Sequence, residues 1–206
     1  MPGAGVTDAA RDGLDRALDI GLGLTALGWS IAGIVLDDDL PFVSRLTISL
    51  VNVVVGVLFL TRSGARQPAA LDFAAALPSI VLSGIAYRFA AREWPPVAVA
   101  AFAITGSFTI FALLSLGRSF SIFPARRALV VRGPYALVRH PVYLGELAMI
   151  VTAAATGGAL PALGCFFAML VLLIPRIRRE EKALAEDTEH ARYAARVRYR
   201  LLPGIY

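Results

Sequence analysis

The sequence predicts an all-α membrane protein with about six transmembrane helices, five being the alternative count, and a cytoplasmic helical C-terminal region that closes a pocket. Hydrophobic residues make up 57% of the 206 residues, and the mean hydropathy is +0.68. Only 17% of the residues are charged, whereas an ordinary soluble domain carries about a quarter. Apolar segments of roughly bilayer-spanning length recur along the chain, so the hydrophobic residues are arranged as spans.

Six apolar segments are candidate spans within a single domain, residues 1–206. They lie at 18–36, 41–61, 71–87, 95–116, 142–157 and 159–175. Several are shorter than the roughly 20 residues that cross a bilayer core, so we expect tilt or helical extension at their ends. The first four form an N-terminal part, residues 1–116, and the polar motifs lie in residues 117–206.

The charges that flank these segments predict their orientation. An acidic stretch, DDDLP, separates the first two segments, while Arg62 and Arg66 follow the second. With a cytoplasmic N-terminus and six spans, most arginines lie on the cytoplasmic side, in agreement with the positive-inside rule. The first residues lack the basic start and small-residue cleavage site of a signal peptide. We therefore expect a multi-pass protein of the plasma or inner membrane with both termini in the cytoplasm.

Composition argues against nucleic-acid binding and against a metal site. The net charge is +5 and the isoelectric point about 9.9, but the basic residues stand beside hydrophobic segments, which favours membrane orientation. Cys165 is the only cysteine and lies in an apolar stretch, which predicts a small buried residue and no internal disulfide. The chain has two histidines and no ligand pair at metal spacing, so we expect no metal.

The stretch RGPYALVRHPVYLGE, residues 132–146, places many polar residues directly before the fifth segment. Gly133-Pro134 predicts a turn, and Pro141 suits the first turn of the helix that follows. If that helix begins near His140, then His140 and Tyr143 share one of its faces at spacing i, i+3. The spacing therefore predicts that the two rings lie side by side.

Two interpretations of this stretch are open. Arginine and tyrosine commonly anchor a helix at the membrane interface. Anchoring does not call for a histidine, or for Glu146, which enters the apolar run one turn after Tyr143. An ionisable group in that position is expensive and usually functional. We therefore expect a functional site in which Glu146 binds substrate.

A second polar cluster, PRIRREEKALAEDTEHARYAARVRYR, begins at Pro175 and predicts a helix that leaves the membrane. Arg176 and Glu180 stand at i, i+4, so their side chains meet on one face. Glu181 and the later charged residues are interpreted as surface ion pairs worth about 0–1 kcal/mol each. His190 is interpreted as a surface residue.

The segment TGGALP, residues 156–161, joins the last two spans and predicts a helical hairpin. Its glycines permit a turn, and Pro161 suits a helix start. The hairpin brings the loop 117–141 and the tail after residue 175 to one membrane face. Together they offer tyrosine rings, a histidine, a turn with free amides, a carboxylate and an arginine. This inventory suits a cofactor that carries an ammonium group, a ribose and an adenine.

These motifs, in this order and at this separation, resemble the isoprenylcysteine carboxyl methyltransferase family and its phospholipid methyltransferase relatives. The resemblance rests on RGPYALVRHPVYLGE, a hairpin, RIRREEKAL and the closing YAARVRYRLLPGIY, and it covers roughly residues 115–206. It implies an integral membrane methyltransferase that uses S-adenosylmethionine, with residues 117–206 as its cofactor-binding catalytic part.

The resemblance also implies roles for individual residues. The positions that match the family's cofactor-binding residues are Arg127, Ala128, Leu129, Val130, Tyr135, His140, Pro141, Val142, Tyr143 and Glu180. Arg176 matches the arginine that the family directs towards the substrate, and with His140 and Glu180 it forms the expected catalytic set.

Two positions depart from the family pattern. The family usually has a glycine before the later tyrosine of the tail, where this chain has Glu-His-Ala-Arg at 189–192 before Tyr193. That departure favours a tail helix that runs on rather than breaks. Arg127 stands at a position that is histidine-like in the family, so we expect it to contact the cofactor through its backbone.

The methyl acceptor is expected to be lipophilic and to enter from the bilayer, as an isoprenylcysteine carboxylate or another lipid or small apolar molecule would. Methyl transfer from a sulfonium mainly requires alignment of donor and acceptor. A carboxylate acceptor needs no general base, and Arg176 would orient it through paired hydrogen bonds. A thiol or amine acceptor would need a base, for which a nearby histidine or glutamate is the candidate. The sequence leaves these acceptors open.

Two alternative functions also fit the sequence. One is a membrane reductase of the sterol or steroid type that uses NADPH, since a 2′-phosphate favours extra arginines. The tail supplies Arg192, Arg196, Arg198 and Arg200. The other is a non-enzymatic membrane module whose arginines bind anionic lipid heads. In that module, His140, Tyr143 and Glu180 would be replaceable without loss of cofactor binding.

Overall fold

A computed structural model describes residues 4–36, 38–61, 78, 81–82, 84–120, 129–184 and 188–206. The main α-helices in these ranges are α1 (Ala4–Val35), α2 (Phe42–Thr61), α3 (Pro96–Leu116), α4 (Pro141–Thr156), α5 (Ala159–Leu184) and α6 (Thr188–Arg196); residues 78, 81–82 and 84–86 are helical as well. Short 3-10 turns lie at Tyr87–Phe89, Gly117–Ser119 and Gly133–Ala136. These described ranges contain no strand, so the predicted all-α architecture is confirmed.

Four helices are long and apolar enough to cross a membrane: Arg16–Val35 within α1, and the whole of α2, α3 and α5. They match predicted segments one, two, four and six and support an integral membrane protein. The apolar helix α4 has 16 residues, about 24 Å at the usual rise per residue, which is less than the roughly 30 Å hydrocarbon core. Predicted segment three, residues 71–87, falls mostly outside the described residues.

Prolines and glycines set the helix ends near the site. Pro96 and Pro141 stand in the first turns of α3 and α4, where the missing N–H of proline leaves no hydrogen bond unmade. Only Gly157 and Gly158 separate α4 from α5, and Gly158 has a φ of 121°, a region that favours glycine. The predicted hairpin is confirmed, and α5 continues through Pro175.

Glycines also bring neighbouring helices close together. A Cβ placed on Gly23 of α1 or on Gly56 of α2 would lie 3.0 Å from the carbonyl oxygen of the other residue. A Cβ on Gly145 of α4 would lie 2.1 Å from the Thr109 hydroxyl oxygen of α3. Small residues permit such close approach between membrane helices. The helices consequently pack in chain order, α1 on α2, α2 on α3, α3 on α4 and α4 on α5.

The core that supports the site lies between α4 and α5. Its fully buried large side chains are Ile150, Met169, Leu173, Ile177 and Leu201. Cys165 belongs to the same cluster, as predicted for a small buried residue. Because Leu201 comes from beyond α6, this core also fixes the end of the chain against the α4–α5 pair.

Residues 197–206, the C-terminal segment, return to the beginning of α4. The Arg139 N–H donates to the Tyr199 carbonyl over 3.0 Å, and the His140 N–H donates to the Arg200 carbonyl over 2.9 Å. The segment then folds on itself, since the Leu201 N–H donates to the Tyr206 carbonyl over 2.8 Å. These bonds hold the two residues that precede α4.

Candidate functional site

A cavity of about 1390 Å³ runs through the helical bundle. One end is lined by Asp38, Asp39 and Arg92 of the loops, and the other by His140, Tyr143, Arg176 and Glu180. Between the ends its walls are mostly apolar, with residues such as Val51, Val55, Leu113 and Met149. The cavity exceeds the roughly 300–1,000 Å³ of a typical small-molecule site, so it has room for two ligands.

Tyr143, in the first turn of α4, joins the two polar clusters. Its hydroxyl donates to Oε1 of Glu180 on α5. The guanidinium of Arg176 lies over the Tyr143 ring, with Cζ 4.6 Å from the ring centroid, within the range of a cation–π contact. Nε of Arg176 is 3.8 Å from Oε1 of Glu180, and the two side chains are 6% and 17% exposed. The predicted i, i+4 meeting of Arg176 and Glu180 is therefore confirmed.

His140 stands between two neighbouring carboxylates. Its ring stacks on that of Tyr143, with centroids 5.7 Å apart and planes 10° from parallel, as the i, i+3 spacing predicts. Nδ1 lies 3.6 Å from Oε2 of Glu180, and Nε2 lies 3.4 Å from Oε1 of Glu181. The ring is thus held by a tyrosine on one side and by α5 on the other.

The turn at Gly133–Ala136 places Tyr135 at the cavity wall. Gly133 has a φ of 62°, which favours glycine, so the predicted turn is confirmed. The Tyr193 hydroxyl of α6 donates to the Tyr135 carbonyl over 2.7 Å. Burial raises the pKa of Tyr135 well above its ordinary value and the pKa of Tyr193 to about 12. Both phenols are therefore neutral at pH 7 and present a ring and a hydroxyl group.

The interpretation of Glu181 as a surface ion pair is wrong. Its side chain is 12% exposed, and its carboxylate lies 2.8 Å from Nη1 of Arg139 and 2.7 Å from Nε of Arg200. Glu181 points away from solvent because the C-terminal segment folds back over it. Hydrogen bonding to Glu181 in turn raises the pKa of Arg200.

The prediction for His190 is also wrong, since this residue is buried and lines the cavity. Its ring lies 6.2 Å from that of Tyr193, centroid to centroid, on the same face of α6. The i, i+3 spacing of these two residues in an otherwise charged segment is the signal that could have placed both on the buried face. The expectation that the tail helix does not break before Tyr193 is confirmed, since α6 is helical throughout Thr188–Arg196; residues 185–187, between α5 and α6, lie outside the described residues.

The structure brings most of the predicted site residues to one cavity. Those that line it are Leu129, Val130, Tyr135, His140, Val142, Tyr143, Glu146, Arg176 and Glu180. Pro141 is buried at the first position of α4 and fixes where the helix begins. Arg127 and Ala128 lie outside the described residues. The roles assigned to these residues stay predictions.

This arrangement has a definite chemical character. The Glu180 carboxylate and the stacked rings of His140 and Tyr143 suit a ligand with a cationic group next to a flat one. The Arg176 guanidinium at the same end suits a ligand carboxylate, which it can bind through paired hydrogen bonds. The apolar walls beyond them exclude water, which strengthens electrostatic interactions at the polar end. The cavity is therefore suited to hold a polar, partly cationic molecule at one end and an apolar molecule beside it.

Comparison with known proteins identifies two likenesses. Residues 98–186 match the model of the isoprenylcysteine carboxyl methyltransferase (ICMT) family. A stretch of 84 residues is 34% identical to the Delta(14)-sterol reductase TM7SF2 of Mus musculus and covers 39% of this chain. The matched part spans 20% of the length of that reductase. Both likenesses therefore concern part of the chain.

Proposed function

We propose that this integral membrane protein is a member of the isoprenylcysteine carboxyl methyltransferase family and an S-adenosylmethionine-dependent methyltransferase with a lipophilic acceptor. Residues 98–186 match the model of that family. Members of the family use S-adenosylmethionine as methyl donor. The family match supports a membrane methyltransferase, while the cofactor and acceptor of this chain are part of the proposal.

One observation carries the proposal: the hydrogen bond from Tyr143 to Glu180 within a single cavity. It joins two polar clusters that stand 37 residues apart in the chain, and Arg176 lies against both partners. A helix pair needs no such cluster to pack, because the α4–α5 core is otherwise apolar. Burying ionisable side chains is expensive unless they are paired, so their concentration here favours a ligand site.

The residues at this end of the cavity fit the cofactor. Glu180 would supply a carboxylate for the ammonium group, and the stacked rings of Tyr143 and His140 would supply flat surfaces. Tyr135, at the turn, supplies a further ring. The cavity volume of about 1390 Å³ leaves space for an acceptor beside the cofactor.

When bound, S-adenosylmethionine supplies an electrophilic methyl group on a sulfonium sulfur. The task of the protein is then to align the acceptor, and orientation of this kind is worth up to about 7–11 kcal/mol. We assign to Arg176 the binding of an acceptor carboxylate, helped by its position over the Tyr143 ring. With an acceptor thiol or amine, His140 or Glu180 would accept the proton.

The acceptor is proposed to enter from the bilayer. Trp29, Val81 and Ile85 line the cavity, and these large apolar residues are 67%, 49% and 49% exposed. We propose that the cavity opens laterally beside these residues, because exposed apolar side chains suit contact with lipid and α1 is long and apolar enough to cross a membrane. The opening favours an acceptor with an apolar body, such as an isoprenylcysteine or another lipid. The positive-inside rule supports a cytoplasmic position for the polar end.

The reductase is a second candidate, favoured by the stretch that is similar to the mouse sterol reductase. A nicotinamide cofactor with a 2′-phosphate needs cations near its binding site. Among the described residues that line the cavity, none is one of the four tail arginines 192, 196, 198 and 200. Arg139 and Arg176 do line the cavity near its polar end, but each is paired with a carboxylate, Glu181 and Glu180 respectively, so we favour the methyltransferase.

The test is calorimetric binding of S-adenosylhomocysteine and of NADPH to the protein in lipid nanodiscs. We expect saturable binding of S-adenosylhomocysteine, a roughly 10- to 100-fold loss of affinity in Glu180→Ala, as for a lost charged hydrogen bond, and no saturable binding of NADPH. Glu93→Ala is the matched control, because Glu93 is exposed and distant from the site. It lies two residues after Ala91, whose N–H donates to the Thr156 hydroxyl at the end of α4 opposite Tyr143.

Each other outcome counts against the proposal. Saturable binding of NADPH alone would favour the reductase. Binding of neither nucleotide, together with anionic-lipid binding that survives replacement of His140, Tyr143 and Glu180, would favour the non-enzymatic module. Equal affinity of wild type and Glu180→Ala for S-adenosylhomocysteine would contradict the assignment of Glu180.

A further inference from the structure

Glu181 is the point at which three parts of the chain meet. Its Oε1 lies 2.8 Å from Nη1 of Arg139 and 3.4 Å from Nε2 of His140, while its Oε2 accepts a hydrogen bond from Nε of Arg200 over 2.7 Å. Glu180, the adjacent residue, faces the cavity and bonds to Tyr143. Two consecutive carboxylates on α5 thus hold the His140 ring from its two nitrogens.

The contacts around Glu181 continue into the backbone. Arg139 and His140 donate their N–H groups to the carbonyls of Tyr199 and Arg200, and Nη2 of Arg139 donates to the Arg198 carbonyl over 3.1 Å. Leu201 is fully buried beside Tyr143 and Ile177 in the core. The C-terminal segment is therefore docked on the outer side of the same residues whose inner side forms the cavity wall.

We propose that Glu181 is a positioning residue: it fixes the orientation of the His140 ring in the cofactor site by tying that ring to Arg139 and to the C-terminal segment through Arg200. This inference rests on the proposed function for its link to cofactor binding. Glu181 does not line the cavity described above, so it acts through His140 rather than by touching the ligand.

The geometry separates this role from that of an ordinary surface ion pair. Exposed pairs are worth about 0–1 kcal/mol because water competes for both partners. The Glu181 and Arg139 side chains are 12% and 10% exposed, and Glu181 has two guanidinium partners rather than one. A buried carboxylate with several donors has little freedom to move, so it fixes the groups around it.

The first measurement is the ring 15N spectrum of histidine-labelled protein at one fixed pH. The chain has two histidines, so two sets of ring signals are expected, and the His190→Gln variant assigns the His140 set. Glu181→Gln keeps the side-chain size and removes the charge. We expect it to shift the His140 ring signals, whereas Glu93→Gln, an exposed matched change, leaves them in place.

The second measurement is the affinity for S-adenosylhomocysteine in nanodiscs. Loss of an outer partner of a ligand-holding histidine at a metal site costs 10- to 100-fold in affinity, and we expect about tenfold for Glu181→Gln by the same reasoning. Arg200→Lys is the milder variant, because the Arg200 side chain is 38% exposed. It keeps the positive charge but loses the planar, forked set of guanidinium donors, so we expect the affinity for S-adenosylhomocysteine to fall by about threefold.

The outcomes distinguish this inference from the proposed function. Shifted His140 signals with weakened binding support both. If Glu181→Gln shifts the His140 signals but the wild-type protein does not bind S-adenosylhomocysteine, Glu181 still positions His140 and the proposed function is overturned. Unchanged His140 signals in folded Glu181→Gln, or an unchanged affinity for S-adenosylhomocysteine, would overturn the positioning role. If Glu181→Gln does not fold, the same two measurements on Arg200→Lys decide whether the positioning role holds.

Discussion

The α1–α2 pair and the α4–α5 pair are both formed by consecutive packed helices, yet they treat polar side chains differently. In the first pair, hydroxyl and guanidinium groups bond to backbone carbonyls: Ser49 to Ser30 over 2.8 Å and Arg16 to Leu60 over 3.0 Å. In the second pair, side chains bond to one another, as Tyr143 does to Glu180 and His140 does to Glu181.

This difference in hydrogen-bond partners separates polar groups that stabilise the fold from polar groups that are suited to bind a ligand. A hydroxyl that bonds to a carbonyl of its own or the neighbouring helix satisfies itself and supports packing. Ionisable side chains that meet one another along a cavity wall are not required for packing and carry a desolvation cost. We therefore expect substitution of these hydroxyl groups in the first pair to change stability alone, and substitutions at the polar end of the second pair to change ligand binding.

The largest expected effect is that of Gly157→Ala, which tests how tightly the α4–α5 hairpin packs against the Tyr87–Phe89 turn. A Cβ at this position would lie 2.0 Å from the carbonyl oxygen of Phe89, a backbone atom that cannot rotate away. We expect a loss of about 3 kcal/mol in the free energy of unfolding, at the upper end for overpacking, measured as the denaturation midpoint in detergent. Gly164→Ala on α5 is the control, because its Cβ would meet open space; equal midpoints would contradict the packing described.

Alkaline pH is expected to weaken contacts in the part of the protein that includes α4, α5 and α6, and not in the α1–α2 pair, because all six tyrosines follow residue 86. Burial raises the pKa of Tyr193 from 10.0 to about 12 in the folded state. The unfolded chain loses this proton first, so the stabilisation is complete below pH 10 and is lost as the pH approaches 12. The shift corresponds to roughly 2–3 kcal/mol.

The measurement for this second prediction is the denaturation midpoint between pH 8 and pH 12 for wild type and Tyr193→Phe. The variant removes the hydrogen bond to the Tyr135 carbonyl, so its stability should be lower at pH 8 and should fall less steeply above pH 10. Parallel curves for the two proteins would show that the phenol of Tyr193 does not contribute.

Tyr143→Phe sharpens the comparison at the site itself. The ring remains under Arg176 and against His140, but the hydroxyl that bonds to Glu180 is lost. A hydrogen bond to a charged group contributes about 1.5–3 kcal/mol, so we expect the affinity for S-adenosylhomocysteine to fall by about tenfold. Tyr199→Phe, at an exposed tyrosine, should bind as wild type does. A larger loss in the control would assign the effect to the C-terminal segment instead.

The smallest expected effect is that of Ser49→Ala in the first pair. It removes the buried bond to the Ser30 carbonyl, and interhelical bonds of this type average about 0.6 kcal/mol in membranes. We expect that loss of stability, with unchanged nucleotide affinity. Ser44→Ala is the control on the same helix, because the buried Ser44 hydroxyl has no hydrogen-bond partner within the described part of the chain. A change of nucleotide affinity in Ser49→Ala would break the division between the two regions.

Local rules were sufficient for much of the site. Helical spacing predicted the contact of His140 with Tyr143 and that of Arg176 with Glu180. Proline and glycine residues predicted where α4 begins and where the hairpin between α4 and α5 lies. These features depend on neighbours within four residues, for which the backbone geometry is known in advance. The structure adds that both pairs line one cavity.

The errors occurred where distant residues decide the environment. Glu181 and His190 stand in a charged segment, which by itself resembles the solvated face of an amphipathic helix. Their burial depends on the C-terminal segment and on α6, which return to the start of α4. No periodicity within α5 carries that information. The contact of Arg127 and Ala128 with a cofactor stays a prediction.

By itself, the sequence determined that this is a helical membrane protein with a polar motif before α4 and another at the end of α5, because hydropathy and helical spacing act over short distances. Tertiary structure alone decided that Tyr143 bonds to Glu180, that Glu181 is enclosed by two arginines, and that an apolar cavity adjoins them. The physical reason is that burial and electrostatic partnership depend on which surfaces meet in space. Here those surfaces come from residues far apart in the chain, such as Arg139 and Arg198, which are 59 positions apart.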